Sequence, residues 1–165
     1  MDPDSNELVM EFAAGKYGAL FTNAKILELG SRNINGTIRD HIKGWAEYVG
    51  VDLRPGPGVD VVLEDPNKLP FPDGSFDLVV SSNTLEHCER PWEVVKESAR
   101  VLKPGGTFFA TVPWQIHVHR DSQCPTDCYR ILDDGMRALM VYAGLEPVEI
   151  RMHKDHTMGV ARRQK

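Results

Sequence analysis

Strand-like and helix-like segments alternate along this chain, and this alternation constrains the fold more than any other feature. Apolar runs typical of buried strands occur at residues 25–30, 47–52, 59–63, 76–80 and 107–112. A helix follows the fourth run, where Pro91 suits a first turn and Lys103-Pro104-Gly105-Gly106 ends the helical spacing. Parallel strands joined by right-handed crossovers form a sheet covered on both faces. The sequence therefore predicts an α/β, Rossmann-like, doubly wound fold.

Further helices are expected on either side of these strands. One begins near Ser5 and ends before Gly15. Another is capped by Asn35 and has an apolar face formed by Ile38, Ile42 and Trp45. A last helix runs from Asp133 to Gly144.

The last segments, 147–152 and 157–161, predict an antiparallel hairpin that completes a mostly parallel, seven-stranded sheet. We expect one domain over residues 1–165, with a cap at 1–24 and the core at 25–165.

The composition of the chain disfavours several classes of binding partner. A net charge of −5 and a pI near 5.7 disfavour nucleic acid, which is bound mainly through clustered Lys and Arg. No apolar run approaches the roughly 20 residues of a membrane span, and the acidic N-terminus does not resemble a secretory signal. The three cysteines fit no disulfide framework. We therefore expect a cytoplasmic protein with no membrane or nucleic-acid partner.

Acidic residues at the ends of the first strands suggest a ligand. Glu28 precedes Gly30 in the turn after the first strand, where a carboxylate suits an ammonium or sulfonium group better than a pyrophosphate. Asp52 ends the second strand, near the spacing at which an acid accepts hydrogen bonds from a ribose. A turn-forming role for Asp52 ahead of Arg54 is equally compatible with the sequence. Asp65, after the third strand, could face an adenine amino group.

These motifs resemble the class I S-adenosylmethionine-dependent methyltransferases, specifically the type-11 methyltransferase family, over residues 25–114. The resemblance rests on residues 69–80, on Leu85-Glu86-His87 and on the turn at residues 100–106. It implies methyl transfer from S-adenosylmethionine to a small-molecule acceptor by in-line displacement, with S-adenosylhomocysteine as product. The residues that it implies for cofactor binding are Glu28, Gly30, Ser31, Arg32, Asp52, Leu53, Asp65, Ser81, Ser82, Asn83 and His87.

One position departs from the family pattern. Arg32 stands where the glycine turn usually has its second glycine, and Gly36 follows later. A non-catalytic module that binds S-adenosylmethionine or S-adenosylhomocysteine is therefore the alternative to an enzyme. The absence of G-x-G-x-x-G disfavours a dinucleotide enzyme.

Acceptor contacts are expected in residues 115–130, which leave the fifth strand at the cofactor edge. His119 is the predicted general base, although His117 or His119 could instead bond only to the loop backbone. The motifs H-x-H and C-x3-C could in principle hold zinc, but such compact spacing on one loop disfavours this, and we predict no metal site. Because the chain carries little beyond the core sheet, a homodimer could complete the acceptor pocket.

Overall fold

The computed structural model describes residues 3–34, 36–120, 122 and 124–165. Its centre is one seven-stranded sheet in the order β3-β2-β1-β4-β5-β7-β6. The strands are β1 (Lys25–Leu29), β2 (Glu47–Asp52), β3 (Val61–Val62), β4 (Phe76–Ser82), β5 (Leu102–Pro113), β6 (Leu145–His153) and β7 (His156–Arg163). Strands β1 to β5 pair in parallel, whereas β7 is antiparallel to both β5 and β6. The predicted fold class and the antiparallel hairpin are confirmed.

Helices cover both faces of this sheet, which explains why β1 is almost continuously apolar. On one face lies α1 (Pro3–Ala14), whose Phe12 ring stacks on Phe109 of β5 with a centroid distance of 3.9 Å. On the other face lie α2 (Pro91–Val101) and α3 (Asp133–Tyr142). Because each face has its own buried cluster, the sheet is the middle layer of a three-layer structure.

The connection from β1 to β2 differs from the prediction. A helix with Ile38, Ile42 and Trp45 on its inner face was expected, but the described residues there form only a 3-10 turn, Ile38–Asp40. The two isoleucines are buried, whereas Trp45 is 38% exposed. Gly44 has φ +81°, a conformation that ends a helix, and its carbonyl accepts a hydrogen bond from the backbone N–H of Asn23 before β1. The proposed cap, Asn35, lies outside the described residues.

Other boundaries shift without changing the topology. The first helix begins at Pro3, earlier than the predicted start near Ser5, and β3 is shorter than residues 59–63. The predicted turn at residues 103–106 lies within β5, where the pairing with β4 is irregular between Phe76 and Leu78. Such a bulge absorbs the extra residues without separating the two strands.

The contact of Phe12 with Phe109 predicts that α1 is an integral part of the folded unit. Phe12→Ala should lower the free energy of unfolding by about 3–5 kcal/mol, because a buried aromatic ring leaves a cavity. Met10→Ala on the same helix is the matched control, since Met10 is 50% exposed and its loss should change stability by less than about 0.5 kcal/mol. Urea unfolding measures both. Equal, small effects would show that α1 does not pack on the sheet.

Candidate functional site

The parallel pairing brings the carboxyl ends of β1, β2 and β4 to one edge of the sheet. Glu28 of β1 lies opposite Gly50 of β2, and Asp52 is two positions further along. Since side chains alternate along a strand, Glu28 and Asp52 lie on the same face. The two acids predicted to act together are therefore on neighbouring strands and on one side of the sheet.

Glu28 is fully engaged inside the protein. Its Oε1 accepts a hydrogen bond from the backbone N–H of Ile38 at 3.1 Å, and its Oε2 accepts one from the Tyr48 hydroxyl at 2.8 Å. Burial raises the pKa of Glu28 to about 7, although both hydrogen bonds act against this rise. The carboxylate thus ties β1 to β2 and to the 3-10 turn.

Asp52 has acceptor capacity left for a ligand. Its Oδ1 accepts a hydrogen bond from the backbone N–H of Arg54 at 3.0 Å, and its Oδ2 accepts a longer one, at 3.4 Å, from that of Arg32. A carboxylate has about four lone-pair positions, so roughly two remain on this half-buried group. The neighbouring Leu53 side chain is 53% exposed and offers an apolar surface beside it.

The turn after β1 is held close to the turn after β2. Gly30 has φ +66°, and a Cβ there would lie 2.1 Å from Oγ1 of Thr84, so no other residue fits without displacement. Ser31 donates its backbone N–H to Val51, and Asn33 donates to Pro57. The stem of Arg32 lies against Gly56, where an added Cβ would be 2.9 Å from its Cγ.

The residues after β3 and β4 complete this edge. Asp65 is exposed, and its Oδ1 accepts a hydrogen bond from the backbone N–H of Asn67 at 2.8 Å. The hydroxyls of Ser82 and Thr111 are 2.9 Å apart. Asn83 adopts φ +49° and donates its backbone N–H to the Thr111 carbonyl.

Two buried serine hydroxyls provide an observation that bears on cofactor binding. Oγ of Ser31, after β1, and Oγ of Ser81, near the end of β4, have no hydrogen-bond partner among the described residues. Buried hydroxyls without partners are costly, and a polar ligand at the strand tips would supply partners after a small rearrangement. Ser81 is opposite Leu29 and so lies on the other face of the sheet from Asp52. Together with the open lone pairs of Asp52, the Ser31 hydroxyl fits the polar S-adenosylmethionine that the resemblance implies.

The loop after β5 folds back over the same edge. Arg54 donates to the carbonyl of Ser122 at 3.0 Å, joining this loop to the turn after β2. The backbone N–H of Cys128 donates to the Glu86 carbonyl at 2.7 Å. A lid of this kind excludes water from whatever lies beneath it.

Asp127 organises the part of the loop that holds His119. Its carboxylate forms two hydrogen bonds with Arg130, at 2.6 and 2.8 Å, and accepts a third from the backbone N–H of His119 at 2.8 Å. Arg130 is the main reason that the pKa of Asp127 is held well below its usual range. The same carboxylate lies 3.6 Å from Nδ1 of His119. The imidazole is therefore oriented by a fixed, charged neighbour.

Comparison with known proteins assigns this arrangement to a family. The methyltransferase domain family matches residues 27–110, from β1 to the middle of β5. The chain belongs to this family. An open depression beside Trp45 lies on the connection from β1 to β2, close to the amino end of β2.

Curated relatives share part of this methyltransferase domain. The chain is 44% identical over 69 residues to an uncharacterized methyltransferase of Mycobacterium sp. (strain KMS), covering 36% of this chain and 27% of that protein. It is 35% identical over 98 residues to 27-O-demethylrifamycin SV methyltransferase of Amycolatopsis mediterranei (strain S699), covering 53% of this chain and 36% of that protein. The alignments thus span about a quarter to a third of these relatives.

A solved structure shares the fold over nearly the whole chain. The 1,6-didemethyltoxoflavin-N1-methyltransferase of Burkholderia thailandensis, solved with 1,6-didemethyltoxoflavin and S-adenosylhomocysteine, superposes with a TM-score of 0.76 at 14% identity. The match covers 99% of this chain and 80% of that one. No helix in the described part of the methyltransferase domain has the length and apolarity needed to cross a membrane.

One buried acid of the methyltransferase domain was given no role by the sequence reasoning. Glu86 follows β4 and is completely buried, and burial raises its pKa to about 8. Its position before His87 was noted only as part of a motif. Its neighbours in the sequence, such as Thr84, His87 and Glu89, are largely polar, so no local pattern marks this acid as buried.

The raised pKa of Glu28 predicts a pH-dependent stability. Between its ordinary value of 4.5 and about 7, folded Glu28 retains a proton that the unfolded chain has lost. Its contribution to stability is therefore fully present below pH 4.5 and is lost as pH rises through about 7. Glu28→Gln should make the decline of unfolding free energy over this interval shallower.

Urea unfolding at a series of pH values measures this slope. The raised pKa of Glu86 also makes the free energy of unfolding fall as pH rises, and this effect is still present in Glu28→Gln. The variant should therefore show a smaller slope of stability against pH, and not a slope of zero. Glu64→Gln, at an exposed position, is the matched control and should leave the slope unchanged. Identical slopes in Glu28→Gln and the unaltered protein would contradict the burial of an ionisable group at this position.

Proposed function

We propose that this chain transfers a methyl group from S-adenosylmethionine to a small-molecule acceptor. The observation that carries the proposal is Asp52 at the tip of β2, with lone pairs open toward the edge where the family-matched strands end. Ligands of open parallel sheets bind outside the carboxyl ends of the strands. An acid at that point is suited to accept hydrogen bonds from both ribose hydroxyls of an adenosyl group.

The other cofactor contacts follow the same edge. Gly30, Ser31 and Arg32 would lie at the methionine end, and Asp52 with Leu53 at the ribose. Asp65 would meet the adenine amino group, since it follows β3 and is exposed. Residues 81–83 and His87 would line the cleft beneath the lid. Glu28 would not contact the cofactor itself. Its oxygens bond to Tyr48 and to the 3-10 turn, and so would support the turn after β1 that contains Gly30.

S-adenosylmethionine supplies an activated methyl group, so the protein mainly orients the two reactants and excludes water. The lid contributes through the contact between Arg54 and Ser122. Removal of a proton from a hydroxyl acceptor would fall to His119, because Asp127 fixes its ring. No step requires a nucleophilic side chain.

The proposal of a small-molecule acceptor rests on the net charge of the chain and on the structure of the loop after β5. A net charge of −5 disfavours a polyanionic substrate such as nucleic acid. The loop after β5 is fixed at both Arg54 and Glu86, and we propose that this fixed loop encloses a compact acceptor. We also propose that a second copy of the chain completes the acceptor pocket.

A binding module without turnover is the second candidate. The observation that favours it is the stem of Arg32 against Gly56, because it occupies part of the space that a second glycine would leave open in the turn. Binding of S-adenosylhomocysteine without methyl transfer to any acceptor class would support this candidate over an enzyme.

Asp52→Ala tests the proposed cofactor contact. It should weaken binding of S-adenosylhomocysteine by about 1–3 kcal/mol, or roughly 5- to 150-fold, because charge-assisted hydrogen bonds to the ribose are lost. Isothermal titration calorimetry measures the affinity. Asp134→Ala, an exposed acid in the first turn of α3, is the matched control and should bind like the unaltered chain. Equal affinity in Asp52→Ala and the control would place the cofactor elsewhere.

A further inference from the structure

Glu86 is a buried acid that no described residue satisfies. The side chain is completely inaccessible, and neither carboxylate oxygen accepts a hydrogen bond from another described residue. Nε2 of His87 lies 3.6 Å from Oε1. A buried carboxylate without partners is so costly that it normally pairs with a cation, coordinates a metal or takes up a proton.

The two imidazoles beside it are held by their other nitrogens. Nδ1 of His87 lies 2.6 Å from the carbonyl oxygen of Thr126, and because a carbonyl can only accept, the proton is on Nδ1. Nε2 of His87 therefore presents a lone pair toward Glu86. This hydrogen bond from the far nitrogen is the arrangement that orients metal-binding histidines.

His119 completes the group with the same kind of support. Its Nδ1 lies 3.2 Å from the His117 carbonyl and 3.6 Å from Oδ2 of Asp127, both of which accept a proton. Arg130 also approaches this nitrogen, at 3.5 Å, but its charge is taken up by the two hydrogen bonds with Asp127. The shorter contact with the carbonyl places the proton on Nδ1 and leaves Nε2 for a ligand.

We propose that Glu86, His87 and His119 form a binding site for a divalent transition-metal cation such as Zn²⁺. One ligand atom from each residue lies within 4.8 Å of the other two. The pair of Glu86 and His87 already has a spacing of 3.6 Å, close to that of ligands sharing a tetrahedral zinc with bonds of about 2.0–2.2 Å. The two distances to His119 are at most 4.8 Å, so reaching the tetrahedral spacing requires a shift of at most about 1.5 Å from the loop that carries His119.

The donor types select the cation class. Two imidazoles and one carboxylate suit zinc and its neighbours in the first transition row, whereas calcium and magnesium prefer oxygen ligands alone. Glu86 supplies one negative charge, and the neighbouring Asp127 and Arg130 balance each other. Three protein ligands leave at least one coordination position open. Because the site follows the ends of β4 and β5, that position lies on the side of the sheet edge where acceptor contacts are proposed.

This site differs from a zinc centre made by the loop alone. Its third ligand is Glu86 and not a cysteine. Glu86 follows β4, whereas His119 lies in the loop after β5. Among the described residues, the thiol of Cys88 faces the Thr84 carbonyl and that of Cys124 faces the Thr126 carbonyl. The argument for this site uses no cofactor contact. A metal held by Nε2 of His119 would occupy the lone pair that the proposed general base needs, so His119 would act as a base only in the metal-free chain.

Calorimetric titration of the chelator-treated chain with ZnCl₂ tests the proposal. We expect one saturable equivalent, and at least a tenfold loss of affinity in Glu86→Gln and in His119→Ala. His117→Ala, two residues away on the same loop, is the matched control and should bind like the unaltered protein. The double variant Cys124→Ser with Cys128→Ser should also keep the affinity. Near-ultraviolet circular dichroism checks that each variant is folded, and exposed His119 keeps the test usable if Glu86→Gln does not fold.

Three results would overturn the proposal. No saturable binding in the unaltered chain would exclude the site, as would binding that is lost in the cysteine double variant but retained in His119→Ala. As a second measurement, Co²⁺ should give visible ligand-field bands without an intense thiolate charge-transfer band. A thiolate band would assign the metal to the cysteines and overturn the site at Glu86. Neither measurement depends on methyl transfer, so failure of the metal site and failure of the proposed activity are distinguishable.

Discussion

The parallel pairing of β1 between β2 and β4 is the constraint on which the rest of this structure depends. It places the ends of three strands at one edge, and the residues proposed to bind the cofactor and the metal follow those ends or those of the flanking β3 and β5. In a parallel sheet each strand must be buried on both faces, which requires covering helices and returns the chain to the same side for every strand. The functional residues are thus gathered by topology and not by closeness in sequence.

Burial divides the acids at this edge into different roles. Glu28 is enclosed and bonded to Tyr48 and Ile38, so it stabilises the frame of the cleft. Asp52, two positions beyond the partner of Glu28, is half-buried and bonded only to nearby backbone N–H groups, so it can accept bonds from a ligand. Among the described residues, Glu86 is enclosed without such partners. We therefore propose that the same functional group supports structure, cofactor or cation according to the donors around it.

Much of the fold could be predicted from the sequence because strand signals are local. The runs that became β1, β2 and β4 are apolar and bounded by glycine, proline or polar turns, and the two segments of the hairpin were separated correctly. The helix expected around Ile42 failed because apolar spacing alone does not detect that Gly44 adopts positive φ and that the chain is tied back to Asn23.

Residues of the proposed site could be predicted from the sequence only where a single residue's position along the chain indicates its role. Asp52 could be anticipated from its place at a strand end, but the bond from Tyr48 to Glu28 joins residues on separate strands and has no local pattern. The meeting of Glu86 with His119 depends on how the loop after β5 folds back over the turn after β4. Contacts of this kind arise from tertiary packing and so become visible only in the structure.

The central claim is that Asp52 receives the ribose of an adenosyl cofactor at the tip of β2. A crystal structure of the chain with S-adenosylhomocysteine tests it most directly. The account predicts the ribose hydroxyls within hydrogen-bond distance of the Asp52 carboxylate, at about 2.5–3.0 Å. A ligand bound away from the carboxyl ends of the strands, or a ribose that makes no contact with Asp52, would contradict it.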